Sequence, residues 1–413
     1  MSQHVKHLLT SKRVLLLQGP MGDYFSKLAV WLKKNGIECF KLNFNAGDHY
    51  FYKKVNNVFD YKGKITDFSE WLDIFLIEKQ IDTIICFGDC RAYHRLAKEL
   101  AVLNNINFFA FEEGYIRPNY ITFEQEGVNF FSHFLLHLKN RKDLDAIDLK
   151  EIYDVQNSPA KLKKSVAIYY LMWVLFAWEY PYYQHHRGIK PLKELGCWIL
   201  SELRHLKNKF IEIRHFENFL SNNSKNYFVF ALQVHNDFQI RVHSDLQAME
   251  KYIELVLDNF SQYANISTHL VIKHHPMDRG YRNYKKLIYK KAKELKVESR
   301  VHYYCDIHLP TLLKHSLGLV TVNSTTGIQA LFHKIPVKVL GRAIYNLPRL
   351  TNQYDLEKFW IQPGDVDYEY FKFFRTELIQ YSQLNGSFYG LSPWMNEYQK
   401  VDSLDASVEL LKS

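Results

Sequence analysis

"DTIICFGDCRAYHRLAKELAVLNNINFFAFEEG", residues 82–114, sets two short apolar runs on either side of a stretch whose apolar residues recur at helical spacing. The runs "DTIICFG" and "NFFAFEEG" have strand length and composition, while "RAYHRLAKELAVL" is long enough for about three helical turns. A strand, a helix and a strand joined this closely form a crossover unit with parallel strands. The same alternation extends upstream through "RVLLLQG", "DYFSKLAVWLKKNG", "IECFKLNF" and "DFSEWLDIFLIEKQ". The first third is therefore predicted to be a Rossmann-like half, a parallel sheet covered by helices on both faces.

A second series begins near residue 226 with "NYFVFALQV" and a long helical pattern over "DLQAMEKYIELVLDNF". "THLVIKHHP", a basic helix through "YRNYKKLIYKKAKEL", "VHYYC", "GLVTVNSTTG" and "IPVKVLG" follow. Two doubly wound domains in tandem predict an α/β, GT-B-like fold, two Rossmann-like domains facing across a ligand cleft with a helical insertion between them. The expected boundaries are 1–140 for the first domain, 141–220 for a helical, aromatic-rich connecting region, 221–375 for the second domain, and 376–413 for C-terminal helices packing back on the first. In the connecting region, an uncharged run extends only from Ser165 to Trp178, short of the roughly 20 residues that span a bilayer. Its flanks Lys161, Lys163, Lys164 and Arg187, and its aromatics, suit either a seat on an anionic membrane surface or a core helix.

The 413 residues exceed one ordinary core and suit two domains. A net charge of +9 favours an anionic partner, whether nucleotide, nucleic acid or acidic lipid. Lys and Arg are spread along the chain instead of gathered in a recognisable module, which argues against nucleic acid. The five cysteines form no paired framework and suit a reducing compartment, and Cys86 and Cys90 have no second pair at zinc-finger spacing. The first residues lack the apolar core of a signal peptide, so the expected address is cytoplasmic.

In open parallel sheets, ligands bind beyond the carboxyl ends of the strands. Three such ends in the first half are "LLLQGPMGD", "ICFGDCR" and "FAFEEGYIRP". Gly19 and Gly22 permit close backbone approach ahead of a helix, or simply a structural turn. The adjacent carboxylates Glu112 and Glu113 repel, which favours a raised pKa in at least one. Gly114 lets the chain turn after them, and Arg117 is placed to neutralise one carboxylate or grip an acidic substrate. Asp89 with Arg91 makes a similar, weaker pair. In the second half Lys273, His274, His275 and Pro276 end a strand, and strand alternation turns only one of the two histidines toward a ligand. Asn323, Ser324, Thr325 and Thr326 stand where a strand meets a helix, which is either a capped helix or a phosphate seat. Together the two ends describe a pocket for a single phosphate, with no aspartate-rich metal motif beside it.

The order "EEG", "HHP", "NSTTG" resembles that of bacterial enzymes using CMP-activated acidic sugars, several sialyltransferases among them. With "LLLQGPMGDYFSKLA", "FGDCRAYHRLA", "FEEGYIRPNYITFEQEGVN" and "LQVHNDFQI", the chain resembles the capsule polysaccharide biosynthesis proteins of Gram-negative bacteria, from about residue 13 to at least 350. Within that family the resemblance is to the KpsS/LipB group, retaining β-Kdo transferases that start the lipid linker of group 2 capsules. KpsC-like enzymes, which extend the linker and are usually longer, are the near alternative. A non-catalytic capsule export or assembly protein and a sugar-nucleotide epimerase are the others.

The resemblance implies transfer of Kdo from CMP-β-Kdo to a phosphatidylglycerol-type lipid with retention of configuration, at the inner face of the inner membrane. It implies a KpsC-like partner and no cofactor or metal beyond the donor substrate. By carry-over Glu113 is catalytic and Glu112 tunes or orients it, although related enzymes often have Asp where Glu113 stands. Lys273, His275, Pro276, Asn323, Ser324 and Thr325 are expected to bind CMP. Gln18, Gly19, Asp89 and Arg117 are expected to bind Kdo or the acceptor. A retaining double displacement needs a carboxylate nucleophile, and an inverting reaction would use the same group as general base.

Overall fold

The computed structural model describes residues 2–52, 56–141, 152–185, 188, 191–235, 246 and 248–398. The chain divides into two compact units, one of Met1–Phe134, Asp148–Pro191 and Glu377–Ser413, the other of Leu135–Ile147 and Leu192–Thr376. The connecting region is thus shared between the units instead of standing alone. Arg187, the end of "LQVHNDFQI" and residues 399–413 lie outside the described residues.

The first unit is built on β1 (Arg13–Leu16), β2 (Glu38–Asn43), β3 (Val58–Asp60), β4 (Thr83–Phe87), β5 (Asn107–Glu113), β6 (Tyr120–Gln125) and β12 (Gln383–Asn385). Their order across the sheet is β12-β6-β5-β4-β1-β2-β3. The first five run parallel, but β6 is antiparallel to β5 and β12 is antiparallel to β6. This edge departs from the all-parallel expectation because the short turn after Glu113 can only reverse the chain; a parallel return needs a dozen or more residues. Alternation along β5 sends Phe109 and Phe111 to one core, with Tyr24, Phe25 and Leu28, and Phe108 and Ala110 to the other, with Leu72 and Ala97. The helix Pro159–Leu175 buries Ser165, Val166, Tyr169, Tyr170 and Trp173 on one side, the spacing of an i, i+4 stripe.

The second unit holds β7 (Tyr227–Ala231), β8 (His269–Lys273), β9 (Val301–Tyr304), β10 (Gly318–Thr321) and β11 (Val337–Val339), in the order β11-β10-β7-β8-β9 and all parallel. β7 is apolar throughout and fully buried, as a central strand covered on both faces must be. In both sheets the first strand is the middle one of five parallel strands, the central strand of its unit, and the direction of winding reverses beside it. The switch points fall between β1 and β4 and between β7 and β10. Among the described residues no helix is long and apolar enough to cross a membrane.

Candidate functional site

At the first switch point, Gln18 follows β1 and Arg91 follows β4. Arg91 Nη1 donates to Gln18 Oε1 at 2.7 Å. Gln18 Nε2 lies 3.1 Å from Asp48 Oδ2, 2.9 Å from the Tyr169 hydroxyl and 3.1 Å from the Tyr183 hydroxyl. Tyr169 donates to Asp48 Oδ1 at 3.2 Å, and Asn45 Nδ2 donates to the Tyr169 hydroxyl at 2.6 Å. Burial pushes the Asp48 carboxyl up against the pull of the Lys41 ammonium, which burial itself pushes down to about 8. A polar network of this density beneath a sheet end fixes side chains that a solvated loop would leave free.

The two glutamates are divided by strand alternation: Glu112 is half-buried and Glu113 exposed. Glu112 Oε1 accepts from the Glu113 backbone N–H at 3.0 Å. A Cβ added at Gly88, whose φ is +72°, would lie 3.6 Å from Glu112 Oε2 and 3.7 Å from Arg91 Nε. Carboxyl and guanidinium therefore border the same space above Gly88. Desolvation pushes Glu112 up to about 7, with the charges of Glu113 and Asp89 adding to it and Arg91 opposing. Gly114 is required by close approach, since a Cβ there would stand 2.1 Å from the Tyr120 carbonyl oxygen.

Other expected residues of the first unit are engaged differently. Arg117 is exposed, turns its Nε back to the Gly114 carbonyl at 3.3 Å, and makes no ion pair with either glutamate among the described residues. Asp89 is buried, and its Oδ2 accepts from the Val128 N–H at 3.1 Å while Oδ1 accepts from Cys90 Sγ at 3.2 Å. It holds the turn after β6. Gly19 is packed on the Phe25 ring, whose Cγ would lie 2.7 Å from a Cβ there.

At the second switch point, Gln233 follows β7 and Asn323 follows β10. The Asn323 N–H donates to Gln233 Oε1 at 3.0 Å, and Gln233 Nε2 donates to Asn323 Oδ1 at 2.7 Å. A glutamine thus closes each switch point from the end of the central strand. His235 is held by the buried Asp278, through its N–H to Oδ2 at 3.2 Å and Nδ1 to Oδ1 at 2.5 Å. His275 is half-buried; its Nδ1 accepts from the Met277 N–H at 3.2 Å, which places the proton of the neutral ring on Nε2. His274 points the opposite way, into the core, with neither ring nitrogen hydrogen-bonded, and burial pushes it down to about 4.

Lys273 is buried and spends its ammonium on the carbonyls of His274 and Cys305, so the expected open cation is folded inward. Pro276 is exposed and begins the short turn Pro276–Asp278. Ser324 Oγ accepts from the Thr326 N–H at 3.2 Å and lies 3.0 Å from Thr326 Oγ1, while the Tyr345 hydroxyl donates to the Ser324 carbonyl. Thr325 is half-buried beside it. His275, Asn323, Ser324 and Thr325 therefore sit at the ends of β8 and β10, the strands on either side of β7.

Residues 82–389 match the family described as capsule polysaccharide biosynthesis protein. The chain belongs to this family. It is 38% identical over 396 residues to the capsule polysaccharide modification protein LipB of Neisseria meningitidis serogroup A, covering 94% of both chains. It is 38% identical over 382 residues to the capsule polysaccharide export protein KpsS of Escherichia coli, covering 92% of this chain and 98% of that one. Among solved structures, KpsC of Thermosulfurimonas dismutans, a β-Kdo 2,7 transferase, aligns over 88% of this chain and 99% of its own at 13% identity and a TM-score of 0.34. A glycosyltransferase from Rickettsia africae aligns over 98% and 99% at 10% identity and a TM-score of 0.37. Scores that low carry no functional argument.

Within this capsule biosynthesis chain, the residues missed by sequence reasoning are Asp48, Asn45, Tyr169, Tyr183, Gln233 and His235. Tyr169 and Tyr183 reach Gln18 from a helix and loop far along the chain, and no local pattern signals that. Gln233 had a signal: "LLLQ" and "FALQ" place a glutamine at the same point after each central strand.

Proposed function

We propose that the chain is a CMP-Kdo-dependent, retaining β-Kdo glycosyltransferase that places the first Kdo on a (lyso)phosphatidylglycerol acceptor, as a peripheral protein at the inner face of the inner membrane and beside a KpsC-like enzyme. Family membership supports the capsule pathway. The observation that carries the chemistry is the divided acidic pair, with Glu113 exposed at the strand end and Glu112 half-buried and pushed up to about 7.

In this reading the Glu113 carboxylate attacks the anomeric carbon of Kdo, and CMP leaves with the bonding electron pair. The acceptor hydroxyl then displaces Glu113 and passes its proton to Glu112, whose carboxyl titrates near neutrality as an effective proton acceptor should. Two inversions give net retention. His275 donates from Nε2 to the CMP phosphate, with Ser324, Thr325 and the helix N–H groups completing its seat and Asn323 holding Gln233 in place. Lys273 and Pro276 shape the loop that presents His275. Arg91, fixed by Gln18, is a better partner for the Kdo carboxylate than Arg117, because it borders the same space as Glu112. The reading uses no metal, since a single phosphate leaves under these donors.

The test is incubation of the purified protein with CMP-Kdo, generated in situ, and a fluorescent phosphatidylglycerol, following the lipid by mass spectrometry. A gain of one Kdo, absent with Glu113→Gln and with His275→Ala, supports the reading. Unchanged lipid with folded protein and intact donor refutes this acceptor.

A further inference from the structure

Two imidazoles are tied through Nδ1 to the short turn Pro276–Asp278, and in opposite senses. His275 Nδ1 accepts from the Met277 N–H, so its neutral ring donates from Nε2. His235 Nδ1 lies 2.5 Å from Asp278 Oδ1, and the His235 backbone N–H donates to Asp278 Oδ2 at 3.2 Å. A carboxylate only accepts, so this Nδ1 carries a proton and donates. The Tyr281 ring lies against the His235 imidazole with centroids 5.8 Å apart, and its hydroxyl donates to Glu194 Oε1 at 2.6 Å. The imidazole is held on its Nδ1 edge and on one face. The His235 side chain is still 17% exposed, and Nε2 makes no hydrogen bond among the described residues.

The chain carrying His235 leaves β7 between the ends of β8 and β10. Gln233 bonds Asn323 on the β10 side, and His235 bonds Asp278 on the β8 side. Both neighbouring ends hold the donors assigned above to a phosphate, His275 on one and Ser324 and Thr325 on the other. Those donors are neutral. The two nearest cations in sequence are already engaged, Lys273 with the carbonyls of His274 and Cys305 and Arg279 with Asp306. A phosphate monoester brings at least one full negative charge. His235 can answer it: with Nδ1 donating to Asp278, a proton on Nε2 makes the ring an imidazolium, and the fully buried carboxylate behind it balances that charge.

We propose that His235 is a further phosphate-binding residue of the second switch point, a charge-assisted Nε2–H donor to the phosphate of a nucleoside monophosphate, and that Asp278 is its positioning residue. The role rests on the nucleotide seat of the transferase reading, and needs neither Kdo transfer nor a lipid acceptor. It also gives the seat a formal positive charge, which stabilises the leaving phosphate more than a neutral donor does.

The test is titration calorimetry of the full chain with CMP, and separately with UMP, for the unmodified protein, His235→Asn and His235→Gln. The Asn amide nitrogen stands where Nδ1 does, so it keeps the bond to Asp278 and has nothing at Nε2. The Gln amide nitrogen stands where Nε2 does and gives up the bond to Asp278. His235→Asn is expected to weaken CMP binding about tenfold, and His235→Gln to weaken it less. CMP binding undiminished in His235→Asn overturns the proposal and leaves the CMP reading standing; a loss confined to His235→Gln would make the pair a structural tie. Binding of UMP in place of CMP, weakened in His235→Asn, refutes the CMP donor and supports the role of His235. Binding of neither nucleotide by the unmodified protein overturns both.

Discussion

Arg91 reaches Gln18 with a 2.7 Å hydrogen bond across the switch point of the first sheet, and the same guanidinium borders the space that Glu112 faces. Its position charges the carboxyl end of the sheet where Glu112 and Glu113 stand, which is where the proposed reaction needs a cation. Arg91→Ala is expected to lower kcat/KM on the order of 100-fold, the scale of losing one preorganised charged donor. Arg91→Lys should recover part of the loss, since it restores charge without the fork. Steady-state kinetics with CMP-Kdo checks this.

Activity should rise with pH through about 7, because Glu112 accepts a proton only when ionised and its environment holds the proton to about that pH. Arg91 pulls this value down, so Arg91→Ala should move the midpoint upward. Glu112→Gln should remove the rise and lower kcat by about 10²- to 10⁴-fold. A pH profile of each variant is the measurement.

His275→Ala is expected to weaken CMP binding about tenfold, the loss of a charge-assisted donor to phosphate. His274→Phe should leave binding unchanged, because that ring is buried with both nitrogens unbonded. Titration calorimetry with CMP separates the two. His274 also predicts a stability effect: its pKa is depressed to about 4, so stability present above its unfolded value is lost as pH falls through about 4.

Glu124 lies fully buried on β6, with Oε2 2.5 Å from Ser132 Oγ and Oε1 without a partner. Burial pushes its carboxyl up to about 8. The folded state therefore favours the proton, and this stabilisation, complete below the unfolded carboxylate range, is lost as pH rises through about 8. Glu124→Gln should be close to neutral at pH 4, where the unfolded carboxyl is also largely protonated, and stabilise the fold at pH 9 by on the order of 3–5 kcal/mol. Urea unfolding at both values checks it.

The two sheets were legible because strand-length apolar runs alternate with helix-period stretches from "RVLLLQG" to "IPVKVLG". Each quoted run became a strand or helix where it is described. The antiparallel edge was missed because "YITFEQ" alternates no differently from a parallel strand; the brevity of the preceding turn was the available clue. For the site, strand ends pointed to Gln18, Glu112 and His275, while the environment that separates Glu112 from Glu113 depends on neighbours such as Gly88 and Arg91 that only the fold supplies. Lys273 reads as an open cation in sequence and is buried in the structure, because the carbonyls of His274 and Cys305 lie within its reach. The orientation of the helix Pro191–Asn223 was hidden for the same reason: it turns His205, Asn208 and Glu212 onto Cys305 and Asp306, and an amphipathic pattern alone says nothing of which side faces in.

The most direct test of the account is intact-protein mass spectrometry of the Glu112→Gln variant mixed with CMP-Kdo. The account predicts CMP release and one Kdo covalently retained, mapped to the peptide carrying Glu113, because the nucleophile remains and the base that completes transfer is gone. Kdo transfer to lipid by Glu113→Gln at the unmodified enzyme's rate, with no adduct in Glu112→Gln, would contradict it.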